Sequence, residues 1–477
     1  MSKSTAIFSI AVAEDAVGGA DASATTHLPQ PPNDNSASWV GMATTTATVD
    51  AFAGGEEQFH LQEQGRRTPG EDQPLPTSLK NTTGAAVFGA ADGEFIRCLY
   101  TEAIEISHRF RGCDGADPTT FGFGTILGSS MGLHTPGAAT IQTVGDGAAD
   151  GSTVVVLDGN TGHDNLAIGA PIRITLPNTM LAEYAIVTQI SAVGGAGNNE
   201  RTITVHPRFS NQIMNNTDIE LCFAFFPVVG DSTKTAKRTF FTRFDMGGVG
   251  SDASVRRTAM LCRCSGFSLT NDNRGVGLSM TVRPACVLPS DEADASTIAT
   301  NEPPGDLLQH RYGCEVSLSD PINTATAPIA EPRSALPNFD WSAECSFDVA
   351  PAGPDTRGIL GMTDMVINNS TLGVTVTSEL SEPLQKMIAK RERRTLICGM
   401  GPAGDGEGGA LIVSNCGRAD GSANPGGGEN NLINQTTALN ALAEFDGCAT
   451  TDGDGNALTV AQLRLSTAPF MLALPRK

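Results

Sequence analysis

The sequence predicts an all-β dominated fold, strands with a few helices, built as an antiparallel sandwich or barrel. Three observations carry this. Short runs of β-branched and aromatic residues recur along the chain, separated by Asp-Gly, Gly-Asn and Gly-Gly signals. With 53 glycines and 27 prolines in 477 residues, turn chemistry is abundant and few segments carry a helical period. Hydrophobic residues form 40% of the chain, enough at this length for a large core and against wholesale disorder.

The elements follow in chain order. Lys3, the apolar run 6–13 and Glu14 imitate a signal peptide, but the apolar stretch is short, so a first β-strand is expected there. Residues 17–83, rich in Ala, Thr, Gly, Pro, Gln and Asn, read as an extended arm or long loop, with a weak strand pattern only at 40–49. Phe95, Leu99, Ala103 and Ile106 fall at helical spacing and predict an amphipathic helix over 95–108. Strands are expected at 153–157, 171–176, 184–190, 201–207, 219–226, 238–244, 257–270 and 277–284.

The acidic, Pro-containing segment 289–305 reads as a linker. It divides the chain into an N-terminal strand and arm (1–93), a first β domain (94–288) and a second (306–477). In the second, strands are expected at 314–318, 341–349, 362–367, 371–378, 395–400, 410–415 and 458–474. Ser381 as N-cap and Pro383 just inside open a helix running to about residue 393, and a short helix is expected over 432–445.

Charge narrows the function. With 31 Lys and Arg against 52 Asp and Glu, the net charge of -21 argues against a protein that grips the phosphate backbone. The one dense basic run, Lys386, Lys390, Arg391, Arg393 and Arg394, has no interleaved aromatic residue and reads as a solvated helix face or contact surface. No apolar run reaches the roughly 20 residues a bilayer requires, so no membrane insertion is expected. The odd count of 11 cysteines in so long a chain reads as reduced thiols. Cys262 and Cys264 share one strand face without a nearby His and read as small buried side chains rather than zinc ligands, and no two of the seven histidines have metal spacing.

Three motifs invite chemistry. Residues 128–132 match G-x-S-x-G, which makes Ser130 a nucleophile only if a helix follows, and LHTPGAAT cannot supply one. Residues 399–404 match G-x-G-x-x-G after a strand, with Asp420 at a distance suited to a ribose, but more glycine and another strand follow, so the motif reads as a hairpin loop. Asp452, Asp454 and Asn456 resemble the first half of a calcium loop and are weak candidates, since Ala457 takes the glycine position and no glutamate closes the loop. No catalytic residue and no cofactor are therefore expected, and the chain reads as not an enzyme.

The order of segments carries a resemblance. TILGSSMG at 125–132, TVVVL at 153–157, IGAPIRI at 168–174, AIVTQISAV at 185–193 and RTITVHPRF at 201–209 are followed by the long hairpin 257–284, INNSTLGVTVTSELSEPL at 367–384 and TAPFMLAL at 467–474. Taken in order, they resemble the tail tube (major tail) proteins of long-tailed bacteriophages. The resemblance implies tail-tube-like β domains that share an inner β-barrel in a ring. It implies a structural virion protein, a self-assembling subunit of stacked rings with a central channel for DNA.

Its partners would be copies of itself, in trimeric pseudo-sixfold or hexameric rings, and tail proteins such as the tape measure and tail terminator. DNA would pass through the lumen without stable binding. The location would be the virion tail, after synthesis and assembly in the host cytoplasm. Candidates for the contacts between copies are Leu269, Arg274, Met280 and Val282 on the hairpin, and Trp39 and Phe52 on the arm. The alternative is another non-enzymatic virion component: a head decoration, tail-tip or adhesin module.

Overall fold

The structure is a computed structural model. It describes residues 7–14, 39–42, 104–137, 141–142, 154–157, 166–176, 181–192, 201–210, 213–228, 238–245, 254–272, 275–283, 286–293, 302–309, 314–319, 333–352 without 338, 364–379, 381–385 without 383, 393–427 without 405, 433–442 and 447–476.

The strands in chain order begin with β1 Ile7–Glu14, β2 Trp39–Met42, β3 Ile104–Arg109, β4 Met131–His134, β5 Ile141–Gln142 and β6 Val154–Leu157. Next come β7 Pro171–Leu176, β8 Leu181–Ile190, β9 Arg201–His206, β10 Asp218–Pro227, β11 Arg238–Asp245, β12 Ser254–Asp272, β13 Gly275–Arg283 and β14 Cys286–Ala293. The last are β15 Val316–Ser319, β16 Ser334–Ala335, β17 Asp340–Ala352, β18 Asp364–Glu379, β19 Arg394–Met400, β20 Gly409–Gly427, β21 Ile433–Ala441 and β22 Phe470–Pro475. Among the described residues, two α-helices are complete, α1 Gly122–Leu127 and α2 Val460–Ser466. The fold is thus mostly antiparallel β-sheet, as the sequence predicts.

Two 19-residue strands organise the pairing. The first half of β12 pairs with β11 and β14, and β11 continues to β1 and β2. Its second half lies between β13 and β17, giving the order β3, β13, β12, β17, β18, β21, β20. On the far edge of β20 runs β19, and β22 leads from β20 to β10. The first half of β10 turns into a smaller sheet with β5, β7, β8, β9 and β6.

The main core draws on both sides of 289–305, from Ile106 and Phe267 to Trp341 and Leu472. That segment therefore does not divide the protein into separate cores, and its first residues are strand: β14 runs through Ala293. The smaller sheet has its own core around Ile172, Val187 and Ile203. An Ala-rich cluster, Ala182, Ala224, Ala410 and Ala473 among its members, packs it on β20 and β22.

Local pattern misleads in four places. Within 95–108, the described stretch is β3, not a helix: Ile106 is buried and Glu105 exposed, an alternation that suits the edge of β13. Within 432–445, the described stretch 433–441 is the strand β21, not a helix, because Gln435, Thr437 and Leu439 turn inward between β18 and β20. The expected strand 458–474 begins as α2, started by a Thr459–Gln462 capping box, and becomes β22 only after Pro469. The expected strands 362–367 and 371–378 fall in the single strand β18, which pairs with β17 on both sides of a bulge at Asn368. Helix α1, short and wholly buried, gave no periodic signal. The expected first strand is β1; of the arm 17–83, only β2 lies among the described residues. Of the helix expected after Ser381, residues 382, 384 and 385 are helical and 386–392 lie outside the described residues.

Candidate functional site

The register of the long strands sorts side chains into rows with opposite fates. One row crosses seven strands as Ser107, Ser279, Ser268, Glu344, Gly373, Asn440 and Gly417. Another reads Glu105, Thr281, Gly266, Ser346 and Thr371. Between them lies Ile106, Met280, Phe267, Cys345 and Leu372, every one buried. Because successive residues of a strand point to opposite faces, the sheet has one apolar face in the core and one face of hydroxyls, amides and glycine.

The polar face is knit across strands. Ser107 Oγ and Ser279 Oγ lie 2.9 Å apart, and Ser279 Oγ donates to Glu105 Oε1 at 2.9 Å. The Thr377 and Thr436 hydroxyls are also 2.9 Å apart. Glu105, Asp340, Glu344, Asp348 and Glu379 stand on this face against Arg109 and Arg283, so its described charge is negative.

The candidates for contacts between copies fall elsewhere. Leu269, Met280 and Val282 are all 0% exposed and belong to the core. Strand β13 is flanked by β12 and β3, so neither Met280 nor Val282 lies on an open edge. Trp39 lies in β2, paired with Ala13, while Arg274 and Phe52 lie outside the described residues. Arg394 is buried at the start of β19 and does not belong to a helix face; Arg393 beside it is exposed.

The motifs resolve into structural devices. Residues 128–132 join a helix to a strand, the reverse of a nucleophile elbow, and Ser130 is fully buried with Oγ donating to Cys264 O at 2.6 Å. Ser129 Oγ accepts from Cys264 N at 2.8 Å, and Arg263 Nη1 donates to Ser129 O at 2.6 Å, so the turn is pinned to β12. Asp452 Oδ1 accepts from the backbone N–H of Asp454 and Asn456, which ties this carboxylate into its own turn, and Asp454 reaches Arg201 at 3.7 Å. Among the described residues, no group of three His, Cys, Asp or Glu is placed to hold a metal, and no helix is long and apolar enough to cross a membrane.

The glycine loop 401–408 is the hairpin between β19 and β20. A buried ion pair grips it: Arg173 Nη2 lies 2.7 Å from Glu220 Oε1 and donates to Gly404 O at 2.6 Å, while Nη1 donates to Glu407 O. Glu220 Oε2 in turn accepts from Gly406 N at 3.1 Å. Burial works against the Arg173 charge, but Tyr184 and Glu220 outweigh it and raise its pKa. The loop's backbone polar groups thus face protein donors and acceptors.

A second buried arginine, Arg333, faces two carboxylates: Nη1 is 3.5 Å from Glu315 Oε1 and 4.0 Å from Glu183 Oε2. Its Nη2 donates to Tyr184 O, and the guanidinium lies 6.0 Å from the Phe209 ring centre. Glu183 also accepts from Ser210 N at 2.9 Å. Burial pushes the Glu315 carboxyl up against the pull of Arg333. Sequence reasoning missed both arginines. Arg173 had a visible signal, a charge inside the apolar run of IGAPIRI, whereas Arg333 had none.

No family model matches this chain, and no curated protein matches it.

Proposed function

We propose that the chain is a structural subunit of a phage tail tube, self-assembling into stacked rings whose channel passes DNA. The observation that carries this reading is the polar sheet face: seven strands in register present hydroxyls, amides, glycine and an excess of carboxylates on the side away from the core. A channel wall must stay hydrated and must not hold phosphate, since even about 1 kcal/mol per ring over many rings would trap a genome. Hydroxyl and carboxylate rows meet both demands. The hairpin 257–284 contributes to this surface through Ser268, Ser279 and Thr281, with Leu269, Met280 and Val282 serving the core behind it.

Electron microscopy of the purified protein tests the assembly, with stacked rings of uniform diameter expected. Dispersed monomers under all conditions would instead favour the decoration, tail-tip or adhesin reading. The face is tested by Glu344→Lys with Asp348→Lys: tubes of this variant should retain duplex DNA at low salt, where the parent tubes do not. Equal DNA retention by both would remove the polar face from the channel.

A further inference from the structure

The sheet that carries the polar face has an open edge at each end. Among the described residues, β3 pairs with β13 on one side and with no strand on the other. At the opposite end, Cys416 stands opposite both Ala441 of β21 and Arg394 of β19, which puts these two strands on opposite sides of β20. The β19 pairing stops at Cys416, whereas β20 runs on to Gly427 beside β21. Along 417–427, therefore, no described strand lies on the β19 side.

Strand direction decides how copies can join. Every pairing from β3 through β13, β12, β17, β18 and β21 to β20 is antiparallel, so the first and the seventh strand run the same way. Copies related by rotation about a tube axis keep their strand directions and turn the same sheet face toward that axis. We infer that neighbouring copies are joined by a parallel strand pair, β3 of one copy beside residues 417–427 of the next, although the sheet within each copy is wholly antiparallel. The seam presupposes the ring assembly proposed above and names the two edges that close it.

The backbone supplies the bonds. Phe110 N donates to Val276 O at 2.9 Å, and residues opposed in an antiparallel pair alternate between bonded and non-bonded positions. Residues 106 and 108 therefore bond to β13, while Glu105, Ser107 and Arg109 turn their N–H and C=O groups to the other side. A parallel neighbour engages every second residue of a strand, which is what this edge presents. The row that begins at Ser107 ends at Gly417, so joining the two edges carries the polar face, and the apolar face behind it, across the seam. Pairing β3 with β3 of a second copy about a twofold axis would instead be antiparallel, would stop at a dimer and would leave 417–427 uncovered.

Hydrogen exchange of the full chain, as free subunit and as assembled tubes, tests this. Peptides covering 104–109 and 417–427 should both gain at least about tenfold protection on assembly, while 277–282, paired on both sides, should not change. Glu105→Pro removes an N–H that β13 does not use, so the urea midpoint should stay close to that of the parent while assembly is lost. Tubes in which only 104–109 gains protection would mark a twofold β3 seam. Tubes in which neither segment gains it, including the case where both are already protected in the free subunit, would place the seam elsewhere. Either result, or full assembly of the Glu105→Pro chain, overturns the parallel seam and leaves the tube standing, whereas dispersed monomers of the parent chain under all conditions overturn both. Should the proline variant fail to fold, exchange of the parent chain decides alone.

Discussion

Replacing Arg173 by Met removes a guanidinium that is 0% exposed and leaves its partner Glu220, whose side chain is 10% exposed, without its counter-charge. Breaking one side of a buried, hydrogen-bonded ion pair costs about 3–5 kcal/mol, because the remaining charge keeps its desolvation penalty and loses its compensation. The carbonyls of Gly404 and Glu407 lose their donors at the same time. We expect a loss of about 4 kcal/mol, a large share of the roughly 5–15 kcal/mol that holds a typical domain folded. Urea unfolding followed by fluorescence of the buried Trp341 reads the change. The double variant Arg173→Met with Glu220→Gln removes both charges and should recover more than half of the loss, since a neutral amide can still accept from Gly406 N. If the single variant costs less than about 1 kcal/mol, or the double costs as much as the single, the ion pair is not what holds the loop.

Three further outcomes follow from the same geometry. Ser130→Ala should cost about 1–2 kcal/mol in urea unfolding by removing the buried hydroxyl that donates to Cys264 O, with no change in ester hydrolysis; an esterase activity that disappears in the variant would contradict this. Met280→Pro strikes a strand bonded on both edges and should yield insoluble or unfolded chain; a soluble, folded variant that merely fails to assemble would place β13 at a shared edge after all. Gly408 has φ +84°, and a Cβ there would lie 2.5 Å from Pro402 O, so Gly408→Ala should cost more than about 1 kcal/mol and raise hydrogen exchange across 401–409; unchanged exchange would mean that the loop relaxes freely.

The period of two was legible in the chain wherever a strand has one wet face, as in β17, where Ser342, Glu344, Ser346 and Asp348 alternate with Trp341, Ala343, Cys345 and Phe347. Such alternation is local, so the all-β class and the long hairpins could be read without any knowledge of partners. The hairpin nature of the glycine loop was legible for the same reason, since two strands and no helix flank it. The same local reading failed at Ile104–Arg109 and Ile433–Ala441, where short sequences satisfy both periods and the neighbouring strand decides between them.

By itself, then, the sequence determined the strand-rich class, the turns and the alternation that separates core from polar face. Only the tertiary structure decided which residues share a row, that Met280 and Val282 serve an interior strand, and that the core spans 289–305. It alone brought Arg173 to Gly404 across 231 positions and Arg333 to Tyr184 across 149. The reason is physical: a buried charge needs a partner at hydrogen-bond distance, but any segment that passes can supply one, so its identity follows from the packing of distant strands and leaves no periodic trace in the chain.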